Sequence, residues 1–293
     1  MPFTKEELEE RKNYLGGTDC APILGISRWK TPIEVWAEKT GTIEPEDISQ
    51  KSQVRFGVKM EPVLAEMWEE DTGKKLARKN ETIKHPRHSF IGANIDRRVV
   101  GEKAGWEAKY FSPYRAKEFE NGEIPADCLL QCCHYLAVTG WDRWYLMAGL
   151  GNSDPVKLTI ERDEKLIEDI IKKEVYFWNT FIVPKAIPQM VTSNDDEILQ
   201  KLYPSAVAEK EINLTDEANQ LLESLTALNQ DKNAVEGQID IIKNKLKAMI
   251  KDNEIGLTDQ WRIRWANFKG SKYEVVRKAG RKFTYDRITQ KEA

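Results

Sequence analysis

The chain has 293 residues and a formal net charge of −3, enough for one good-sized core with an appendage or for two small domains. With 32% charged and 40% hydrophobic residues it reads as a soluble globular protein, and no apolar run approaches the ~20 residues of a membrane span. The near-neutral balance neither favours nor excludes a nucleic-acid partner, because an acidic protein can still concentrate Lys and Arg in one groove.

The first residues, MPFTKEELEERK, are charged and lack the apolar run of a signal peptide, so a cytoplasmic location without a membrane partner is the expectation. Residues 3–14 predict a short amphipathic helix opened by Thr4 with Glu7 as its capping box. The turn Gly16-Gly17-Thr18-Asp19 leads into an apolar helix over 21–24. A second helix over 33–39 follows Thr31-Pro32 and closes at Gly41. Residues 53–72 predict a longer helix, with Val54, Val58, Glu61, Leu64, Ala65 and Trp68 near one face. Glu61 is the exception on that stripe, and a buried carboxylate needs a partner or a metal.

Strands are expected at 75–78, 82–85, 90–96, 98–101 and 106–110, with a short turn at 102–105. A helix over 126–139 carries Cys128, Cys132 and Cys133, followed by strands at 141–150 and 156–161 and a helix over 164–182. With Cys20, these thiols do not form a secreted disulfide framework, and their spacing does not fit an iron–sulfur cluster, so they read as reduced, packed side chains.

Pro184, Pro188 and the polar run 192–197 mark a boundary. Beyond it Ala218, Leu221, Leu225, Leu228, Lys232, Val235, Ile239, Ile242, Leu246 and Met249 alternate steps of three and four, which predicts a long helix in a coiled coil or helical hairpin. The last segment is basic and interleaved with aromatics: Arg262, Arg264, Lys269, Lys272, Arg277, Lys278, Arg281 and Lys282 among Trp261, Trp265, Phe268, Tyr273, Phe283 and Tyr285. It reads either as a small β-rich unit with a solvated basic face or as a single-stranded DNA contact. The expected organisation is a core at 1–190, a helical arm at 205–253 and a β-rich tail at 254–293.

The chemistry concentrates in Asp96 and in Glu107-Ala108-Lys109. Alternation along a strand points Glu107 and Lys109 the same way, and a short turn brings Asp96 beside them. Two carboxylates and the Ala108 carbonyl suit magnesium, with manganese as a substitute. Such an ion polarises a phosphodiester and helps generate hydroxide, while Lys109 positions or deprotonates the water and offsets charge. The bland alternative is a surface hairpin with an exposed Glu–Lys pair.

Asp96…Glu107-Ala108-Lys109 resembles the PD-(D/E)XK nuclease signature, with Ile95 where that pattern has proline. The ordered set from residue 11 to 183 resembles more specifically the phage lambda exonuclease and YqaJ-type viral recombinase family. That set includes Gly16–Asp19, Ile23–Pro32, Phe56-Gly57 with Glu61, the Asp–Glu–Lys triplet, and Gln131–Gly140. The resemblance implies an α/β core with a mixed central sheet flanked by helices, followed by the arm and tail. It implies that Glu61 helps hold the metal or its waters and that Gln131 closes the site near the attacking water. Arg11 and Thr18 would grip a 5′-terminal phosphate, with Arg28 and Lys30 as further phosphate contacts. Thr18 reads equally as a helix N-cap, and the three cations read equally as solvated charges. His85, His88 and His134 stay outside the site.

The function expected is a magnesium-dependent 5′→3′ exodeoxyribonuclease that resects double-stranded DNA ends for phage-type recombination. The family likeness adds a homo-oligomer, possible as a ring-shaped trimer, and a single-strand annealing protein as partner. The rivals are a RecB-like or restriction-like nuclease and a non-catalytic DNA-binding module on a degenerate nuclease fold.

Overall fold

A computed structural model describes residues 9–79, 81–189, 192–270 and 283–285. The chain divides into two compact units, Met1–Pro204 and Ser205–Ala293. The expected opening of the first helix, Thr4 with Glu7, lies outside the described residues, as do the tail residues Lys272, Tyr273, Arg277, Lys278, Arg281 and Lys282.

In the first unit, helix α1 (Gly17–Ile23) opens at Gly16, whose amide donates to Asp19 Oδ2 at 2.9 Å. Helix α2 (Pro32–Lys39) opens with a reciprocal capping box: Thr31 Oγ1 accepts from the Glu34 amide, and Glu34 Oε2 accepts from the Thr31 amide. Helix α3 (Ser52–Thr72) stops at Gly73, which takes φ 69°, a conformation that costs glycine little. Strands β1 (Leu76–Arg78), β2 (Ile83–Lys84), β3 (Gly92–Ala93), β4 (Arg97–Val99) and β5 (Ala104–Phe111) follow. A 3₁₀ stretch (Pro113–Gly122) and helix α4 (Ala126–Thr139) cross over to β6 (Arg143–Leu150). Strand β7 (Val156–Glu161), helix α5 (Glu164–Phe177), a π turn (Trp178–Ile182) and helix α6 (Asp195–Leu202) complete the unit.

The sheet runs β1-β4-β5-β6-β7, with β5 and β6 parallel and the other pairs antiparallel. The mixed α/β core expected from the sequence is present. Alternation divides β5 and β6 between two faces. Trp106 and Met147 pack with Leu64, Ala65 and Trp68 of α3, while Trp144, Leu146 and Ala148 pack with Cys132 and Leu136 of α4. All four cysteines are buried and unbonded, as the packed-thiol reading had it.

Three expectations need correction. The strand over 90–96 shrinks to Gly92–Ala93, because the backbone around Ile91 pairs instead with Leu15: the Leu15 amide donates to Phe90 O and the Gly92 amide to Leu15 O. Asp96 consequently sits in the bend that enters β4. The turn lies at 100–103, where Gly101 takes φ 85°, and β5 begins at Ala104. The stripe on α3 is buried only in its second half, for Val58 is 45% exposed.

The second unit holds helix α7 (Asp216–Ile250) and an antiparallel pair, β8 (Ile255–Leu257) and β9 (Arg262–Arg264). Within this unit Tyr285 OH accepts from Asn229 Nδ2 at 3.0 Å. Residues 283–285, within the tail expected to be β-rich, take no regular structure.

Candidate active site

Strand β5 carries the centre of the site. Glu107 and Lys109, two residues apart, point to one face, and Lys109 Nζ lies 2.8 Å from Glu107 Oε1. Asp96 is drawn in from the bend by the Ala108 amide, which donates to its Oδ2 at 3.2 Å. Across the sheet face, α4 presents Gln131, whose Nε2 donates to Glu107 Oε1 at 2.7 Å and to the Tyr135 hydroxyl at 2.8 Å. Glu107 and Gln131 are both buried. The structure thus brings Asp96, Glu107, Ala108, Lys109 and Gln131 together.

Electrostatics distinguish these groups. Burial, reinforced by the neighbouring Glu107, pushes the Asp96 carboxyl up to about 8. For Lys109, burial opposes the charge, but the ion pair with Glu107 outweighs it and holds the ammonium above its ordinary range. A lysine so held is suited to orienting a phosphate or water and to offsetting charge; it is a poor proton acceptor. Burial, with Glu107 close by, also raises the Tyr135 phenol well above its usual value, so it stays neutral.

Glu107 Oε2 is buried with no hydrogen-bond partner. A protein rarely leaves a carboxylate oxygen in that condition, since desolvation without compensation costs several kcal/mol. Beside a second carboxylate, such an oxygen fits a hard divalent cation. Among the described residues no three metal-ligating side chains gather, so the remaining positions would fall to a backbone carbonyl, water and phosphate, which is how magnesium is commonly held.

Glu61 stands differently from the expectation. Its Oε1 accepts from Arg97 Nε at 2.7 Å and its Oε2 lies 3.5 Å from Arg78 Nη2. It is engaged with the arginine that follows Asp96, and is not one of a carboxylate trio.

The second part of the site is a pocket lined by Arg11, Tyr14, Gly16, Gly17, Thr18, Asn94 and Tyr135. Arg11 Nη2 donates to Thr18 Oγ1 at 3.2 Å, so these two share one wall. Thr18 is not the N-cap of α1; Gly16 holds that position. Gly17 is needed here, because a Cβ would stand 2.6 Å from the Tyr135 ring and 3.1 Å from Gln131 Cγ. Tyr135 connects the pocket, through Gln131, to Glu107. Of the two outer cations, Arg28 remains 70% exposed with one ion pair to Glu118 at 3.0 Å. Lys30 is neutralised by Glu38 and lies 3.6 Å from Asp19, so its charge is already spent within the fold.

Two contributors escaped the sequence reading. Lys39 is buried, pairs with Asp19 Oδ2 at 2.7 Å and donates to the Arg11 carbonyl at 2.8 Å. Burial opposes ionisation of Asp19, but Lys39 and Lys30 outweigh it and hold the carboxyl far below its usual range. The pair therefore pins both the start of α1 and the backbone of Arg11. Tyr135 was visible as part of a motif, but its hydroxyl had no assigned partner. Nothing in the sequence marks Lys39 as an inward lysine.

Residues 8–142 match the family described as the YqaJ-like viral recombinase domain. The chain is 36% identical over 263 residues to the uncharacterized protein YqaJ of Bacillus subtilis (strain 168), covering 89% of this chain and 82% of that protein. The chain belongs to the YqaJ-like viral recombinase family. Among solved structures it is similar to LHK-Exo in complex with dAMP, with a TM-score of 0.55, 17% identity, and 68% of this chain and 97% of that one covered. The alkaline exonuclease LHK-Exo from Laribacter hongkongensis gives a TM-score of 0.54 at 16% identity, over 68% and 97%. At these identities the likeness establishes a shared fold. The family match spans the whole site, from Arg11 through Tyr135, whereas β6, β7 and α5 lie beyond it.

Proposed function

We propose that this YqaJ-like recombinase is a magnesium-dependent deoxyribonuclease that digests double-stranded DNA from its ends, 5′ to 3′. The observation that carries the reading is the buried, unpartnered Glu107 oxygen beside Asp96, with Lys109 fixed on the same face. Asp96, Glu107 and the Ala108 carbonyl would hold the ion, with Glu61 acting on it only through Arg97 or water. When bound, a divalent cation polarises the phosphodiester and lowers the pKa of a water. Lys109, kept charged by Glu107, orients the phosphate and offsets negative charge as the bond breaks. Gln131, held between Glu107 and Tyr135, is placed to orient the attacking water.

Polarity rests on the pocket. Arg11 and Thr18 line it, a guanidinium beside a hydroxyl, a combination suited to a terminal 5′-phosphate. Arg28 adds an exposed cation. LHK-Exo has been crystallised with dAMP, a nucleotide of the kind that stepwise digestion of DNA releases, which supports an exonuclease over a sequence-specific endonuclease. In this reading the product strand passes to a single-strand annealing protein, and the core acts as a homo-oligomer, a ring-shaped trimer being the form suited to enclosing duplex. No helix among the described residues is long and apolar enough to cross a membrane.

The test is digestion of end-labelled linear duplex with magnesium, with a 5′-phosphate or a 5′-hydroxyl and with a closed circle as control. The 5′-phosphate end should be preferred, the circle spared, and Lys109→Ala should abolish cutting while DNA binding persists. Efficient cutting of the circle would favour a restriction-like enzyme. Normal cutting by Lys109→Ala would overturn the site.

A further inference from the structure

Helix α7 carries an apolar seam that stays largely exposed among the described residues. Leu221, Leu228, Val235, Ile239, Ile242 and Met249 lie between 43% (Ile239) and 75% (Met249) exposed. Leu225, Lys232 and Leu246 complete the alternating steps of three and four. The helix has 35 residues, a rod about 50 Å long. Helices in water owe most of their stability to packing an apolar face, and an exposed seam of this length marks an interaction surface.

The charges along the helix indicate what covers it. The first half, 216–232, holds Asp216, Glu217, Glu223 and Asp231 against one lysine, Lys232. The second half, 233–250, holds Lys243, Lys245 and Lys247 against Glu236 and Asp240. Two copies of the helix laid in the same direction would set acidic half on acidic half. Laid in opposite directions, each acidic half meets a basic half. Antiparallel alignment of the two seams, Ala218 of one copy against Met249 of the other, sets Leu228 against Ile239 of the second copy. It also sets Lys232, the single break in the seam, against Val235 beside Glu236 of the second copy. A polar residue at one seam position commonly fixes register and orientation at some cost in stability.

We propose that α7 pairs antiparallel with α7 of a second copy of this chain, so that the arm joins copies in twos. The pairing is isologous: each copy offers the same surface to the other. It stands independently of the nuclease reading, because neither Asp96 nor Glu107 enters it.

Full-length chains carrying Leu228→Cys or Ile239→Cys test both contact and direction. The four native cysteines are buried, and the wild-type chain serves as the background. On mild oxidation a mixture of the two variants should form a covalent dimer that neither forms alone. Self-linking of Leu228→Cys would mean a parallel pair, and no link in the mixture would mean no contact; either overturns the proposal. As a second measurement, Leu228→Glu with Ile239→Glu sets like charges face to face. Light scattering of that full-length variant should give about half the wild-type mass. An unchanged mass overturns the pairing, and the heterologous partner would then be sought for the arm.

Discussion

Asp96 couples a proton to the fold and, under the proposed function, to a metal as well. Burial and Glu107 raise its carboxyl from the ordinary 3.8 to about 8. In the metal-free fold it therefore keeps its proton across a window in which the unfolded chain has lost it. The unfolded state binds fewer protons there, so this group's contribution to stability falls as pH rises from about 4 to about 8. A cation that takes Asp96 as ligand must displace that proton. At pH 7, binding of magnesium or manganese should release about one proton, and affinity should rise roughly tenfold per pH unit up to about pH 8. Calorimetry in two buffers of different ionisation heat measures the release directly, and Asp96→Asn should abolish it. Binding without release at pH 7 would remove Asp96 from the ligand set. The triplet itself was legible because strand alternation fixes directions over two residues. Glu61's engagement was not legible, since it depends on Arg97 and Arg78 arriving at α3 from strands β4 and β1.

At the level of elements, α4 is the hub, and His134 is how it is tied down. His134 Nδ1 lies 2.7 Å from Glu174 Oε1 of α5, and its Nε2 lies 2.8 Å from the Gly92 carbonyl of β3. Both side chains are buried. Burial opposes a charged imidazole, but Glu174 outweighs it and the pKa of His134 is raised. A base raised in the fold contributes stability that is fully present below its unfolded value and lost as pH rises through the folded one. Wild-type stability should thus decline on the alkaline side of neutrality by more than that of Glu174→Gln. That variant should already be weaker at neutral pH by about 3–5 kcal/mol, the usual cost of breaking a buried pair. Urea titrations at pH 6, 7 and 9 give both numbers, and parallel pH slopes would show that the pair carries no charge. The helices α3 and α4 were readable because their apolar residues recur with helical period. The strand expected over 90–96 was not, because its local pattern suits a strand while its actual partner, Leu15, lies some 75 residues away in the chain. Lys39 fails for the same reason: its burial is set by Asp19 and the Arg11 carbonyl, neither of which its own helix period reveals.

At the scale of the whole chain, the division after Pro204 separates the site from the proposed pairing surface. Every residue placed at the candidate active site, from Arg11 to Tyr135, belongs to the first unit, as do the five-stranded sheet and the three buried clusters. The second unit contributes a long helix and a two-stranded pair. A unit with its own core and its own sheet is expected to fold alone. A chain ending at Pro204 should therefore unfold cooperatively. It should keep metal-dependent cutting of a linear 5′-phosphate duplex within a few-fold of the full chain, because no ligand or phosphate contact is lost. It should also lose the twofold step in mass that the arm confers, leaving whatever association the core makes by itself. Circular dichroism melts, digestion rates and light scattering of the two chains decide each point separately. If the shortened chain melts cooperatively but cuts only slowly, the second unit contributes to substrate engagement. The exposed Trp261, Trp265 and Phe268 beside Arg262 and Arg264 would then be the first positions to examine, since aromatic rings among cations are what single-stranded DNA binds.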